Sequence, residues 1–151
     1  MLKYVLYGLI ALVVIIQFFQ IDKTPVPTEP SQDFITMTHP PVEIKELLKS
    51  VCYDCHSGST KYPWYTFVQP VGWWIGHHIE EGQEHLNFAQ WGTYNEKRQK
   101  HKVTECIEEV EEGEMPLDSY TWAHSEARLS KDQRDNLIAW FKTLPHEEEH
   151  H

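Results

Sequence analysis

Cys52-Tyr53-Asp54-Cys55-His56 is the stretch on which the fold and the chemistry of this chain depend. Two thiols three positions apart, followed at once by an imidazole, are the arrangement that covalent haem attachment requires. The thiols add across two vinyl groups on one edge of the porphyrin, and the histidine offers a ring nitrogen to the iron. The same cysteine pair also occurs in zinc half-sites and redox dithiols, so the surrounding sequence must discriminate between these uses.

The segment before this motif predicts a short amphipathic helix. Pro41 can be its first residue, because the missing N–H of proline would be unpaired there anyway. Apolar residues then follow at helical spacing, namely Ile44, Leu47, Leu48 and Val51. A redox dithiol would instead follow a β-strand, and no strand pattern precedes Cys52. The context therefore favours haem attachment.

Three further motifs follow: Tyr-Pro-Trp-Tyr at 62–65, Trp-Trp at 73–74 with histidines at 77 and 78, and Leu-Asn-Phe at 86–88. Together with the cysteine motif they resemble a bacterial haem-binding domain family of membrane-tethered, cytochrome c-like proteins. The resemblance implies one haem c, held covalently by Cys52 and Cys55, with His56 as the proximal iron ligand. By analogy with cytochromes c, the carbonyl of Pro63 or Pro70 would accept the second ring N–H of the histidine.

Met115 is the predicted distal ligand. It lies in Glu114-Met115-Pro116-Leu117, directly after a predicted helix over 103–112 that Gly113 terminates. Cytochromes c present their distal thioether on such a Met-Pro loop, and a soft sulfur favours ferrous iron. Three alternatives stay open: His77 or His78 as the ligand, an open or water-bound iron, and a methionine that only fills the core.

Aromatic residues are expected to wall the haem pocket. A helix is predicted over 72–81, in which each tryptophan is four residues before a histidine. The candidate pocket residues are Tyr62, Trp64, Trp73, Trp74, His77 and His78. Tyr120, Trp122 and His124 are expected on a loop near the haem edge.

Cys106 is the cysteine left after the pair. It is in register with Val103, Ile107 and Val110 on a predicted helix, which indicates a small buried hydrophobic residue. The alternative is a zinc site built from all three cysteines and a histidine, but the sequence lacks the second closely spaced ligand pair of such sites.

The N-terminal segment predicts a membrane anchor. Residues 4–21 are almost continuously apolar and would span roughly 27 Å as a helix, near the thickness of a bilayer core. No small residues mark a cleavage site, so residues 1–21 are predicted to be an uncleaved, single-pass signal anchor. Lys3 favours a cytoplasmic N-terminus, which places the rest of the chain in the periplasm. Covalent haem attachment in bacteria also occurs outside the inner membrane.

Three segments follow the predicted anchor. Residues 22–37 are proline-rich and predict an extended tether. Residues 38–145 predict one all-α, cytochrome c-like domain. Its last helix begins at a Ser130–Gln133 capping box, presents Leu137, Ile138, Phe141 and Leu144 on one face, and is expected to pack across the first helix. Residues 146–151 predict a charged, solvated tail.

Charge and composition limit the possible partners. The chain carries 13 Lys and Arg against 23 Asp and Glu, a net charge of −10. No basic patch of the kind that nucleic acid requires is present, whereas a basic redox protein would be attracted. The predicted function is a single-haem electron carrier anchored to the inner membrane. The alternative is a haem sensor or a peroxidase-like enzyme with an open distal site, so enzymatic activity stays an open question.

Overall fold

The computed structural model describes residues 1–147. These residues form helices joined by loops and contain no strand. The α-helices in chain order are α1 (Leu2–Ile16), α2 (Phe34–Thr38), α3 (Val42–Val51), α4 (Tyr53–His56), α5 (Val71–His85), α6 (Glu96–Glu112), α7 (Asp118–Ala123) and α8 (Lys131–Phe141). Short 3-10 helices lie at Pro30–Gln32, Trp64–Phe67, Phe88–Thr93 and Ser125–Ala127. The all-α prediction is confirmed. Of the predicted tail, residues 148–151 lie outside the described residues.

Helix α1 has 15 residues and buries none of its side chains. It ends at Ile16, short of the predicted end of the anchor at Ile21. There the Gln17 amide binds the domain: its Nε2 donates to the Gln69 carbonyl at 3.1 Å, and its Oε1 accepts from the Gln69 N–H at 2.9 Å. Within residues 1–147, no helix combines the length and the apolar character needed to cross a membrane. The predicted transmembrane helix is therefore not found as one continuous helix.

Residues 30–38, most of which the proline content assigns to a tether, contain a 3-10 helix and α2. Asp33 caps α2 by accepting from the backbone N–H groups of Ile35 and Thr36 at 3.0 and 3.3 Å. The first residue of α2, Phe34, is completely buried. Its ring centroid lies 4.8 Å from that of Phe88 and 4.7 Å from that of Trp91. The packed region therefore begins before residue 38, because one aromatic side chain of this segment enters the core.

The core lies between α3, α6 and α8. Helix α3 buries the four residues that its periodicity predicts, Ile44, Leu47, Leu48 and Val51. Helix α6 adds Val103, Ile107 and Val110, and α8 adds Leu137 and Phe141. Helix α8 packs against both α3 and α6. The predicted contact between the first and last helices of the domain is present.

The ends of these helices follow from local chemistry. Gly113 ends α6 with a φ of +84°, a left-handed conformation that glycine adopts without a Cβ penalty. Ser130 and Gln133 form both hydrogen bonds of the predicted capping box at the start of α8. In place of the predicted loop around Tyr120, the chain forms α7. Arg128 supports it by donating from Nε to the Thr121 carbonyl at 3.1 Å.

Candidate haem-binding site

The cysteine motif forms a single helical turn at the end of α3. The His56 and Cys55 N–H groups donate to the Cys52 carbonyl at 2.9 and 3.2 Å. Ser57 is extended and its Oγ donates to the Tyr53 carbonyl at 2.7 Å, which ends the turn. One turn thus brings both thiols and the imidazole to the wall of the same cavity.

The orientation of His56 is fixed by the C-terminal end of α5. Its ring Nδ1 lies 2.9 Å from the Gly82 carbonyl oxygen and 3.0 Å from that of Leu86. An N–H at Nδ1 donates to these carbonyls and leaves the Nε2 lone pair free for a metal. The predicted acceptors, Pro63 and Pro70, are not used. The Gly82 carbonyl already accepts the Leu86 N–H at 2.9 Å and offers its second lone pair to His56, while Leu86 is the residue that follows the end of α5. Because α5 ends beside the cysteine motif, these two carbonyls take this role.

Gly82 permits the close approach of α5 to the cysteine motif. A Cβ at this position would lie 3.3 Å from the Cys55 carbonyl oxygen and 3.5 Å from Cε1 of His56. Gln83, the next residue, donates from Nε2 to the Ser57 carbonyl at 2.8 Å. The C-terminal end of α5 therefore holds His56 through the Gly82 and Leu86 carbonyls and Ser57 through Gln83.

Burial sets the protonation state of the three motif side chains. It lowers the pKa of His56 below its ordinary value, so the imidazole is neutral, which is the form that binds metals. Burial, reinforced by the neighbouring Cys55, raises the pKa of Cys52 to about 12. Burial, and secondly the negative charge of the nearby Asp54, raise the pKa of Cys55 to about 11. In the folded chain both cysteines are thiols at neutral pH.

The cavity beside the motif has the size of a cofactor site. Its volume is about 660 Å³, within the range of cofactor pockets. Apolar side chains from several helices line much of it: Val51, Leu86, Phe88, Val110, Leu117, Leu129, Leu137 and Phe141. The motif, the free imidazole nitrogen and this lining fit a haem.

Met115 lines the same cavity as His56, on the loop that follows α6. Its N–H donates to the Glu109 carbonyl at 3.0 Å, which folds the loop back on the helix. Arg134 of α8 donates from Nη1 to the Val110 carbonyl and lies 3.4 Å from the Met115 carbonyl oxygen. The guanidinium thus joins the end of α6 to the methionine loop.

A smaller cavity of about 340 Å³ shares Cys55 with the larger one. Tyr62 and Trp74 line it, as do Tyr120, Trp122 and His124. His78 lines both cavities, which keeps it a candidate for the distal position.

The remaining pocket candidates line neither cavity. Trp64 is 77% exposed. Trp73 donates from Nε1 to the Phe19 carbonyl at 2.6 Å. The His77 side chain is exposed and lies 3.4 Å from the Glu81 carboxylate. Helical spacing pairs Trp73 with His77 and Trp74 with His78 but does not say which pair faces the cavities, and the structure directs only Trp74 and His78 to them.

Polar contacts that the sequence analysis did not anticipate surround the motif. Tyr53 donates to the Asp33 carboxylate at 3.1 Å and stacks on Phe88 with 5.3 Å between ring centroids. Tyr120 donates to Asp54 at 2.9 Å. Both carboxylates are far from these tyrosines in sequence, so no local pattern signals the pairs.

Cys106 also lines the larger cavity, and burial raises the pKa of its thiol. Among residues 1–147, no three His, Cys, Asp or Glu side chains come together in a group that could hold a metal ion. This arrangement gives no support to the zinc alternative.

Within residues 1–147, the helices place a histidine with a free ring nitrogen and two thiols at the wall of a cavity large enough for a cofactor. A family model described as a haem-binding domain matches residues 11–143. The chain therefore belongs to this haem-binding domain family, and the family resemblance drawn from the sequence motifs is confirmed. No curated protein and no solved structure matches the chain.

Proposed function

We propose that this protein is a single-haem, c-type electron carrier. The observation that carries the proposal is the position of His56, which is oriented by the Gly82 and Leu86 carbonyls and shares one cavity with two thiols and Met115. When bound, haem supplies an iron that cycles between the ferric and ferrous states.

Cys52 and Cys55 would hold the haem covalently. Each thiol adds its sulfur and its hydrogen across one vinyl group, so the attachment consumes two double bonds and needs no oxidant. The thiols are one helical turn apart and line the same cavity, which suits attachment along one porphyrin edge.

His56 and Met115, which line the same cavity, would be the two residues that bind the iron. His56 offers Nε2, while Met115 offers a neutral thioether that favours ferrous iron. Contacts from α5 hold the histidine, and Arg134 holds the methionine loop, so neither ligand needs to move when the oxidation state changes. This arrangement suits electron transfer and leaves no position for a substrate.

Acidic residues beside the larger cavity favour a basic protein as the redox partner. We call Glu105, Glu108 and Glu109 the acidic rim. Glu105, Glu108 and Glu109 of α6 line that cavity, and the last two are exposed. A basic protein that approaches these carboxylates would be steered toward the haem edge.

The exposed apolar helix α1 supports membrane anchoring. It buries no side chain against the domain, so its apolar surface is free to insert into lipid. Haem attachment to a Cys-x-x-Cys-His motif takes place outside the inner membrane in bacteria, which agrees with a periplasmic domain and a cytoplasmic N-terminus near Lys3.

Intact mass spectrometry tests the covalent attachment. The full chain is made in a host that attaches haem to such motifs, and one haem mass per chain is expected. Cys52→Ser and Cys55→Ser together should abolish this added mass. Cys106→Ser is the matched control, because its thiol lines the same cavity and should have no part in attachment. Haem lost after denaturation of the wild type would contradict covalent attachment.

A haem sensor or peroxidase-like enzyme is the second candidate, and His78 is the observation in its favour. It lines both cavities and could serve as a polar distal group beside an open iron. Two results together would favour this candidate. The reduced wild type would bind carbon monoxide rapidly, and His78→Ala would change the rate of that binding.

A further inference from the structure

We infer that one aromatic face of the haem domain rests directly on the membrane surface. We call this face the interfacial patch and define it by five exposed aromatic residues, Phe18, Phe19, Trp64, Phe67 and Trp73. The inference depends on the membrane anchoring proposed above and adds to it a fixed position of the domain on the bilayer.

The domain is fastened to the end of α1. Gln17 exchanges two hydrogen bonds with the backbone of Gln69, and the Trp73 indole donates to the Phe19 carbonyl at 2.6 Å. Ile21 also contacts α5, since a Cβ at Gly76 would lie 2.9 Å from its Cγ2. An extended tether would let the domain move away from the bilayer, whereas these contacts keep the patch at the end of the apolar helix.

The patch has the composition of a membrane interface. Trp64 and Phe67 are three residues apart in a 3-10 helix, so their side chains lie on the same side. Lys23 lies with its Nζ 3.9 Å from the centroid of the Phe67 ring. Exposed aromatic rings beside a lysine, next to an apolar helix, are typical of the headgroup region of a bilayer.

The charge distribution also favours an anionic lipid surface as the occupant. The chain has a net charge of −10, yet no Asp or Glu occurs from Ser57 to Ile79, the segment that supplies three of the five patch residues. Anionic headgroups, such as that of phosphatidylglycerol, repel acidic protein surfaces. Apart from Asp22, the segments that form this face carry no acidic residue, so the face can approach such a bilayer at little electrostatic cost, and Lys23 and Lys61 add attraction.

Hydroxyl-radical footprinting of the full chain tests this placement. The protein is reconstituted as one copy per nanodisc of phosphatidylethanolamine and phosphatidylglycerol, so contact with a second copy is excluded. Trp64 and Trp122 are each 77% exposed and have the same intrinsic reactivity, which makes Trp122 the internal control. We expect Trp64 to be oxidised several-fold more slowly than Trp122. Equal oxidation rates overturn the inference.

A pair of variants sharpens the test. Phe67→Asp places a carboxylate in the patch and should raise the oxidation rate of Trp64 toward that of Trp122. Val42→Asp introduces the same charge at a site that is 77% exposed and outside the patch, and should leave the protection of Trp64 unchanged. Protection that survives Phe67→Asp unchanged also contradicts the inference.

The outcomes separate this inference from the proposed function. A chain that does not copurify with nanodiscs contradicts the anchoring itself and the docking with it. A chain that copurifies but shows equal Trp64 and Trp122 rates contradicts only the docking. The haem mass of the same samples tests haem attachment independently of both.

Discussion

Nδ1 of His56 lies 2.9 Å from the carbonyl oxygen of Gly82, 26 residues further along the chain. This contact joins the proposed iron ligand to the C-terminal end of α5. Because the same segment of α5 also binds Ser57 through Gln83, the helix acts as a support for the whole cysteine motif. The position of α5 should therefore control the strength of the iron–histidine bond.

Gly82→Val tests that control. The new side chain would crowd the Cys55 carbonyl and the His56 ring, because a Cβ at this position would lie 3.3 Å from the Cys55 carbonyl oxygen. We expect the variant to be destabilised by about 1–3 kcal/mol, the usual cost of overpacking, and to carry less haem per chain. Haem content and thermal unfolding measure both effects. Gly8→Val is the control, because nothing lies within 4 Å of a Cβ there.

Met115→Ala tests the proposed distal ligand. A thioether favours ferrous iron, so its loss is expected to lower the midpoint potential by on the order of 0.1 V, a fraction of the ~0.8 V that axial ligands span. Potentiometric titration and the spin state of the ferric form report the change. Met37→Ala serves as control, since Met37 lines neither cavity. An unchanged low-spin spectrum in Met115→Ala would exclude Met115 as the ligand.

Arg134→Ala should loosen the methionine loop. The variant loses the charged donor to the Val110 and Met115 carbonyls, a contact worth about 1.5–3 kcal/mol. We expect a lower unfolding free energy and a larger high-spin fraction of the ferric haem. A purely structural role of Arg134 would lower the unfolding free energy but leave the high-spin fraction unchanged. Lys131→Ala removes an exposed ion pair with Asp135 in the same helix and should change neither quantity. Loss of stability without a change of spin state would show that Arg134 does not position the ligand.

Phe34→Ala should be among the most destabilising changes in the protein. Phe34 is fully buried, and its ring packs against Phe88 and Trp91. Large-to-small substitution of a buried phenylalanine costs about 3–5 kcal/mol. Denaturant unfolding of wild type and variant measures the difference, with the 77% exposed Val42, changed to Ala, as control. A cost below 1 kcal/mol, of the size seen at surface sites, would mean that residues 30–38 are only a tether.

Electron transfer to a basic redox protein should slow as salt is added. The acidic rim steers the partner through unscreened charge, and the Debye length falls from about 30 Å at 0.01 M salt to about 10 Å at 0.1 M. Glu108→Gln with Glu109→Gln should lower the rate at low salt and flatten its salt dependence. The same double change at Glu43 and Glu46, exposed residues of α3 that line neither cavity, is the matched control. A stopped-flow rate that ignores salt would contradict docking at the rim.

Most of the fold prediction depended on helical periodicity and on the residues that cap helix ends. The apolar positions of α3 and the capping box of α8 are local patterns, and the structure has both. Phe34 was missed because a single aromatic residue among prolines has no periodicity. Its burial depends on partners such as Phe88, which lies far away in sequence.

For the site, the sequence predicts roles where the chemistry lies in adjacent residues. Five positions predict the role of the cysteine motif and its histidine, whereas the acceptors for His56 come from the C-terminal end of α5. Analogy pointed to Pro63 or Pro70, but the carbonyls that lie at hydrogen-bonding distance belong to Gly82 and Leu86. Backbone acceptors leave no residue-type signal, so only the fold reveals them.

Optical spectra of the haem-loaded full chain test the central claim most directly. The oxidised, reduced and carbon monoxide-treated reduced states are recorded on one sample. We predict a covalent haem that is low-spin in both oxidation states and does not bind carbon monoxide, because we propose that His56 and Met115 both bind the iron. A high-spin ferric form, or rapid binding of carbon monoxide to the reduced protein, would contradict the electron-carrier account.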